Sequence, residues 1–169
     1  MSVVTTRVAA VLLPGLLMMH SAGHAMDKGE WSIDLNGLSW HDENHYTDNG
    51  VTKSYNETNP GVGASIAYRD DLDIKFGFFE NSYREQSAYA GVYYHKDFYT
   101  DGGWTVAPGV SLLLVSGYDD TPEDAPVIAP IPILGVSFGH KSARFNLGYV
   151  PFGEVDFATL QLQIVPKYW

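Results

Sequence analysis

The chain has 169 residues, room for one domain, and no cysteine, so a small exported scaffold held by disulfides is excluded. Its net charge of −10 comes with no basic stripe, which argues against nucleic acid as a partner. Aromatic residues make up 14% of the chain, yet beyond residue 25 no apolar run is long enough for a membrane helix, and the aromatics fall in short alternating segments instead.

The first 25 residues are predicted to be a secretory signal peptide. Arg7 supplies the positive start, and residues 8–19 are apolar apart from Pro14 and Gly15. Gly23-His24-Ala25 then offers the small residues of a cleavage site. The rival reading, a transmembrane helix, needs ~18 apolar residues and the run is shorter. Cleavage starts the mature chain near Met26 and removes one positive charge, Arg7.

Eight alternating segments follow, over 31–40, 61–68, 72–79, 87–95, 104–115, 128–138, 143–150 and 157–165. In the first, Trp31, Ile33 and Leu35 alternate with Ser32, Asp34 and Asn36. The phase then slips and Leu38 and Trp40 take over the apolar face, which predicts a β-bulge at Gly37. The second sets Val62, Ala64, Ile66 and Tyr68 on one face, and the eighth sets Leu160, Leu162 and Ile164 against Gln161 and Gln163. No mature stretch carries a good helical period.

The connections also alternate. Those at 69–71 and 139–142 are tight, and 96–103 is somewhat longer. Those at 41–60, 80–86, 116–127 and 151–156 follow the odd-numbered segments and are mostly longer. Short turns at one end and longer loops at the other predict an all-β fold, an eight-stranded antiparallel up-and-down transmembrane β-barrel spanning 26–169 as one domain in the outer membrane. The alternative is a soluble, secreted barrel or sandwich with the aromatics in its core. Trp169 suits the membrane version, since such barrels commonly end in an aromatic, although Pro166 interrupts the last segment. The outer loops place Trp40-His41 level with Phe79-Glu80-Asn81-Ser82-Tyr83.

Several stretches together resemble one family. They are Ser39-Trp40-His41, Tyr55-Asn56-Glu57, Phe79 to Tyr83 with Ala90-Gly91 after it, the run Pro126 to Pro132 followed by Gly135 to Gly139, and Gly148-Tyr149-Val150-Pro151. In that order they are similar to the lipid A palmitoyltransferase (PagP) family. The resemblance implies an eight-stranded outer-membrane barrel with a short N-terminal helix, holding an acyl chain inside. It implies transfer of that chain from an outer-leaflet phospholipid to lipid A of lipopolysaccharide, with no cofactor and no metal, by a chain expected to be a monomer. It gives His41 and Ser82 the places of the family's essential histidine and serine, and Pro126, Pro130 and Pro132 those of prolines that admit lipid sideways. A histidine base polarising a serine hydroxyl is the matching chemistry.

Two positions depart from the family. An aspartate precedes its serine, where this chain has Asn81; the amide can hold a hydrogen bond and cannot supply negative charge. The small residue at the floor of the family's acyl pocket aligns with Tyr93, which predicts a chain shorter than palmitate. Other patterns carry less. His41 and His45 are four apart but flank a loop, so no metal site is expected. Gly61-Val62-Gly63 opens no helix and cradles no phosphate. The acidic clusters at 42–43, 119–120 and 123–124 read as solvated loops, or as bridges to lipid phosphates through Mg²⁺ or Ca²⁺. Three functions therefore stand open: a lipid A acyltransferase using His41 and Ser82 beside Asn81; a non-catalytic small barrel serving membrane integrity, lipid binding or small-solute passage; and a lipid A deacylase, whose close His-x-Ser pair in a C-terminal strand is not found here.

Overall fold

A computed structural model of the protein describes residues 26–118, 128–151 and 156–169. The expected signal peptide and Pro126 lie outside the described residues. Within them, eleven strands form: β1 (Trp31–His41), β2 (His45–Asp48), β3 (Val51–Ser54), β4 (Thr58–Arg69), β5 (Leu72–Glu80), β6 (Gln86–His95), β7 (Tyr99–Asp101), β8 (Trp104–Ser116), β9 (Ile128–His140), β10 (Ala143–Val150) and β11 (Phe157–Ile164). Eight of them close on themselves in the order β6-β5-β4-β1-β11-β10-β9-β8, with β8 returning to β6. Every pairing is antiparallel, and the eight match the eight predicted segments. Residues 26–30 enter β1 through a turn; the short helix implied by the resemblance is not among the described residues.

Polarity decides between the membrane barrel and its soluble alternative. The outward positions carry Trp31, Leu35, Val62, Phe78, Leu112 and Leu147, all large, apolar and exposed. The inward positions carry Ser32, Asp34, Ser65, Lys75, Arg144 and Gln163, all buried. A soluble barrel would reverse this, because water rather than lipid would meet the outer face. The soluble reading is therefore wrong, and the chain is a transmembrane β-barrel. Trp31, Tyr68, Tyr94 and Trp104 ring the end that carries the chain termini, while Trp40, Phe78 and Tyr149 ring the loop end. Such girdles sit where headgroups meet hydrocarbon.

The β1 register shifts between Asn36 and Leu38 against both neighbours, the bulge expected at Gly37. A second shift, between Ala67 and Arg69, gives no comparable sign in the sequence. β2 and β3 form a separate hairpin above the loop end. Its tip is Asn49-Gly50 with φ of 48° and 79°, the positive pair that a two-residue hairpin turn requires.

One seam is incomplete. β9 pairs with β8 along its whole length, past Leu112↔Pro132 and Leu114↔Pro130, out to Ser116↔Ile128. Its pairing with β10 stops at Leu134↔Tyr149. Continuing that register would set Pro132 against Pro151, and neither has an N–H to donate.

At the opposite end residues 26–30 are latched to residues 165–168. Pro166 ends β11 and starts a 3₁₀ turn over Pro166–Tyr168. The buried Glu30 carboxylate accepts hydrogen bonds from Lys167 Nζ, from Tyr168 Oη (3.0 Å) and from the Asp27 amide (2.9 Å). Val165, Met26 and Ala67 pack beneath. Burial by itself would raise the Glu30 carboxyl, but these three donors outweigh it and hold the group below the usual carboxylate value of 4.5. A depressed folded value stabilises the barrel above pH 4.5, and the contribution disappears as pH falls through the folded value. Because Lys167 is half-exposed, the expected share is about 1 kcal/mol or less. Urea unfolding of Glu30→Gln in detergent should be weaker than wild type at pH 7 and converge with it in acid. Parallel pH profiles for the two proteins would refute this.

Candidate active site

Three stretches far apart in sequence meet at the loop end. Ser39 on β1 donates its amide to Glu57 O (2.9 Å), and its hydroxyl lies 3.5 Å from Asn56 O. Asn56 in turn donates its amide to Ser82 O (2.8 Å) and its side-chain nitrogen to Thr58 O (2.6 Å) and Glu80 Oε1 (2.9 Å). Asn59 donates to Glu80 O at 3.0 Å. The turn bearing Ser82 is thus sewn to the strand end bearing His41 through one buried asparagine.

His41 closes β1, opposite Phe157 on β11. Its ring stacks on Tyr55 (centroids 4.4 Å apart, planes 9° apart) and on Phe157 (5.4 Å, 28°). Its Nδ1 is buried and has no hydrogen-bond partner among the described residues. Tyr55 leads on to Tyr46 and Tyr83, and Tyr83 to Tyr118, so the barrel mouth carries an aromatic cluster. His41 and Ser82 share this mouth. Ser82 and Tyr118 border the same cavity below.

Asn81 is fully buried, and its amide is fully committed. Its oxygen accepts from the amides of Tyr83 (2.9 Å) and Glu85 (3.0 Å), which shapes the turn. Its nitrogen donates to Ser87 Oγ (3.1 Å) and to Gly117 O. Two donors and two lone pairs are the whole inventory of a carboxamide. An aspartate could make the first two bonds and accept from the Ser87 hydroxyl, but it would set a lone pair against Gly117 O. Adjacent Glu80 spends one carboxylate oxygen on Asn56.

Beneath the mouth lies a cavity of about 140 Å³. Ser39, Asn59, Ser82 and Tyr118 border it, with Leu113, Val115, Ile131, Ile133 and Phe79 among its apolar lining. Tyr93 reaches it from β6 and also lines a second, much smaller space deeper in the lumen, so its ring stands between the two. The ring lies on Gly109, where an added Cβ would fall 2.6 Å from Tyr93 Cε2, and its hydroxyl donates to Ala107 O (2.8 Å). Tyr89 enters higher in the lumen, against Gly63 and Gly77, where a larger residue would collide with its ring. Below Tyr93 the lumen is polar, with Asp73, His95 and Arg144.

Pro130 and Pro132 lie on β9 at the incomplete seam; Pro126 is not described. Among the described residues no three His, Cys, Asp or Glu side chains come together as metal ligands. Reading the sequence did not single out Tyr118, Asn56 or Tyr89 for a role. Asn56 was visible only as part of a resemblance, and Tyr118 carries no local pattern at all.

Solved structures similar to this chain are small barrels. A de novo designed transmembrane β-barrel shares 13% identity at a TM-score of 0.59, covering 82% of this chain and 97% of its own. A second design, TMB2.3, shares 10% identity at 0.50, covering 83% and 96%. The N-terminal barrel of OprF from Pseudomonas aeruginosa shares 13% identity at 0.47, covering 82% and 98%. The first two support the fold and no more. No curated protein matches the chain significantly. A family model does match over residues 23–160, that of the antimicrobial peptide resistance and lipid A acylation protein PagP. It covers every strand named above except the end of β11, and the chain belongs to the PagP family.

Proposed function

We propose that this barrel is an outer-membrane acyltransferase that moves an acyl chain from a phospholipid to lipid A. The observation that supports it best is that Ser82 borders an apolar cavity in a PagP-family barrel, and that His41 stacks on Phe157, which lines the same cavity. Ser82 attacks the ester carbonyl of the phospholipid, its proton passing through His41 to the departing glycerol oxygen. A lipid A hydroxyl then attacks the acyl-serine, and its proton returns to Ser82. Asn81 holds the turn that presents Ser82. The seam between β9 and β10, with Pro130 and Pro132, is the lateral entry for lipid, and a closed barrel needs no partner chain to complete it.

The cavity favours a chain shorter than palmitate. Its volume is close to the ~150 Å³ of engineered apolar cavities that hold one benzene, and Tyr93 is its floor. Lipid A from cells expressing the protein should gain the mass of an acyl group shorter than sixteen carbons, as read by mass spectrometry. Tyr93→Gly should lengthen the chain added. Palmitate added by the wild type would refute the floor. No mass change on expression would refute the enzyme and favour a non-catalytic barrel, the reading that Asn81 in place of aspartate supports.

A further inference from the structure

We infer that Arg84 binds the phosphate of the phospholipid donor above the barrel mouth and so sets the donor ester over Ser82. The inference rests on the acyl-transfer reading above and names the group that selects a phospholipid over a neutral glyceride.

The outer loops at 41–60, 80–86, 116–127 and 151–156 contain only two lysines or arginines, Lys53 and Arg84, among many aspartates and glutamates. Such a surface repels a lipid phosphate unless a cation meets it. Lys53 is committed within the β2–β3 hairpin, where its ammonium pairs with Asp48. Arg84 is exposed and makes no ion pair among the described residues. Its guanidinium touches Asn56, with Nη1 3.4 Å from Oδ1. The remaining N–H groups form the planar fork that takes a phosphate through two parallel hydrogen bonds.

The turn puts this fork beside the nucleophile. Arg84 donates its amide to Asn81 O (3.0 Å), and Asn56 donates its amide to Ser82 O (2.8 Å). Asn56 therefore touches both the guanidinium and the peptide of Ser82. Ser82 is buried and borders the apolar cavity, whereas Arg84 is exposed and does not, so the cation stands on the solvent side of the serine. A phospholipid has the same order of parts: chain, ester, then phosphate, with only the glycerol between the last two. Arg84 also sits at φ +67°, a left-handed conformation that glycine adopts freely and a branched-out side chain does not. The other described non-glycine residue with positive φ is Asn49, in a hairpin turn that requires it. Glycine would serve the turn at 84 better, and the guanidinium is what the strain retains.

The test uses the full-length protein in mixed micelles with phospholipid donor and lipid A acceptor. Arg84→Gln should raise the donor KM by about 10-fold, the scale of one charge-assisted contact, with kcat and the lipid A KM little changed. Arg84→Lys keeps the charge and should recover part of the loss. Diacylglycerol carries the ester and lacks the phosphate, so it should be a poor donor for the wild type and no poorer for Arg84→Gln. Arg84→Gly relieves the left-handed strain; it should resist urea at least as well as the wild type while losing donor binding like Arg84→Gln, which separates binding from folding. An unchanged donor KM in Arg84→Gln and Arg84→Gly, a rise confined to the lipid A KM, or an equal loss with diacylglycerol overturns the inference and leaves the acyltransferase intact. Absence of transfer from either donor by the wild type overturns the acyltransferase reading and the inference with it.

Discussion

His41→Ala and Ser82→Ala should each lower acyl transfer by about 10²–10⁴-fold, the range for losing a positioned proton-transfer group or its partner. On the proposed mechanism the losses should not add, because one proton path would use both residues. Initial rates on purified, folded barrels measure this. His41 also fills space, stacking on Tyr55 and Phe157, so alanine alone would confuse chemistry with packing. His41→Phe retains a flat ring and removes the base; its loss should equal that of alanine while the barrel stays intact. Ser82→Ala should cost no more than ~1 kcal/mol of stability, the net value of one hydrogen bond, so its inactivity would be chemical. Should His41→Phe retain wild-type turnover, the histidine is a structural ring, and proton transfer must be assigned elsewhere.

The barrel was legible because lipid and lumen impose opposite demands at period two. Trp31, Leu35, Leu38 and Trp40 needed only to be read in phase, and the slip at Gly37 announced its own bulge. The β2–β3 hairpin was also written in the chain, as Asn49-Gly50, but its strands carry no apolar face and were read as loop. The site was legible only in part. His41 and Ser82 follow from a resemblance. What holds them is made by closure of the barrel: Asn81 reaches Gly117 across 36 positions, and Asn56 reaches Glu80 across 24. No local pattern records such a contact. Asn81 illustrates the difference. As a sequence it is a lost charge, whereas in the fold it is an amide with four bonds, of which the one to Gly117 O needs an N–H.

Asp34→Ala should destabilise the barrel by about 3–5 kcal/mol, the cost of stranding a buried charge. Asp34 is fully buried in the lumen, accepts hydrogen bonds from Ser32 (3.1 Å) and Ser65, and lies 3.6 Å from Lys75 Nζ. Alanine leaves the Lys75 ammonium with Gln161 Oε1 (2.8 Å) and, among the described residues, no other ion-pair partner within 4 Å. Asp34→Asn keeps the shape and loses only the charge, so it should cost less. The double change Asp34→Leu with Lys75→Met removes both charges together and should approach neutrality, since a buried pair gains little over apolar packing of similar volume. Urea unfolding in detergent micelles orders the three variants, and a loss below ~1 kcal/mol for Asp34→Ala would mean that water reaches Lys75. The same network bears on function. Gln161 joins Lys75 to Asn36 (2.7 Å) and Asn146 (3.0 Å), and all four side chains line the cavity that the proposed function assigns to the acyl chain. Loosening Asp34 therefore frees the cavity wall as well as the fold, and Asp34→Asn should broaden the range of chain lengths transferred while most of the barrel's stability remains.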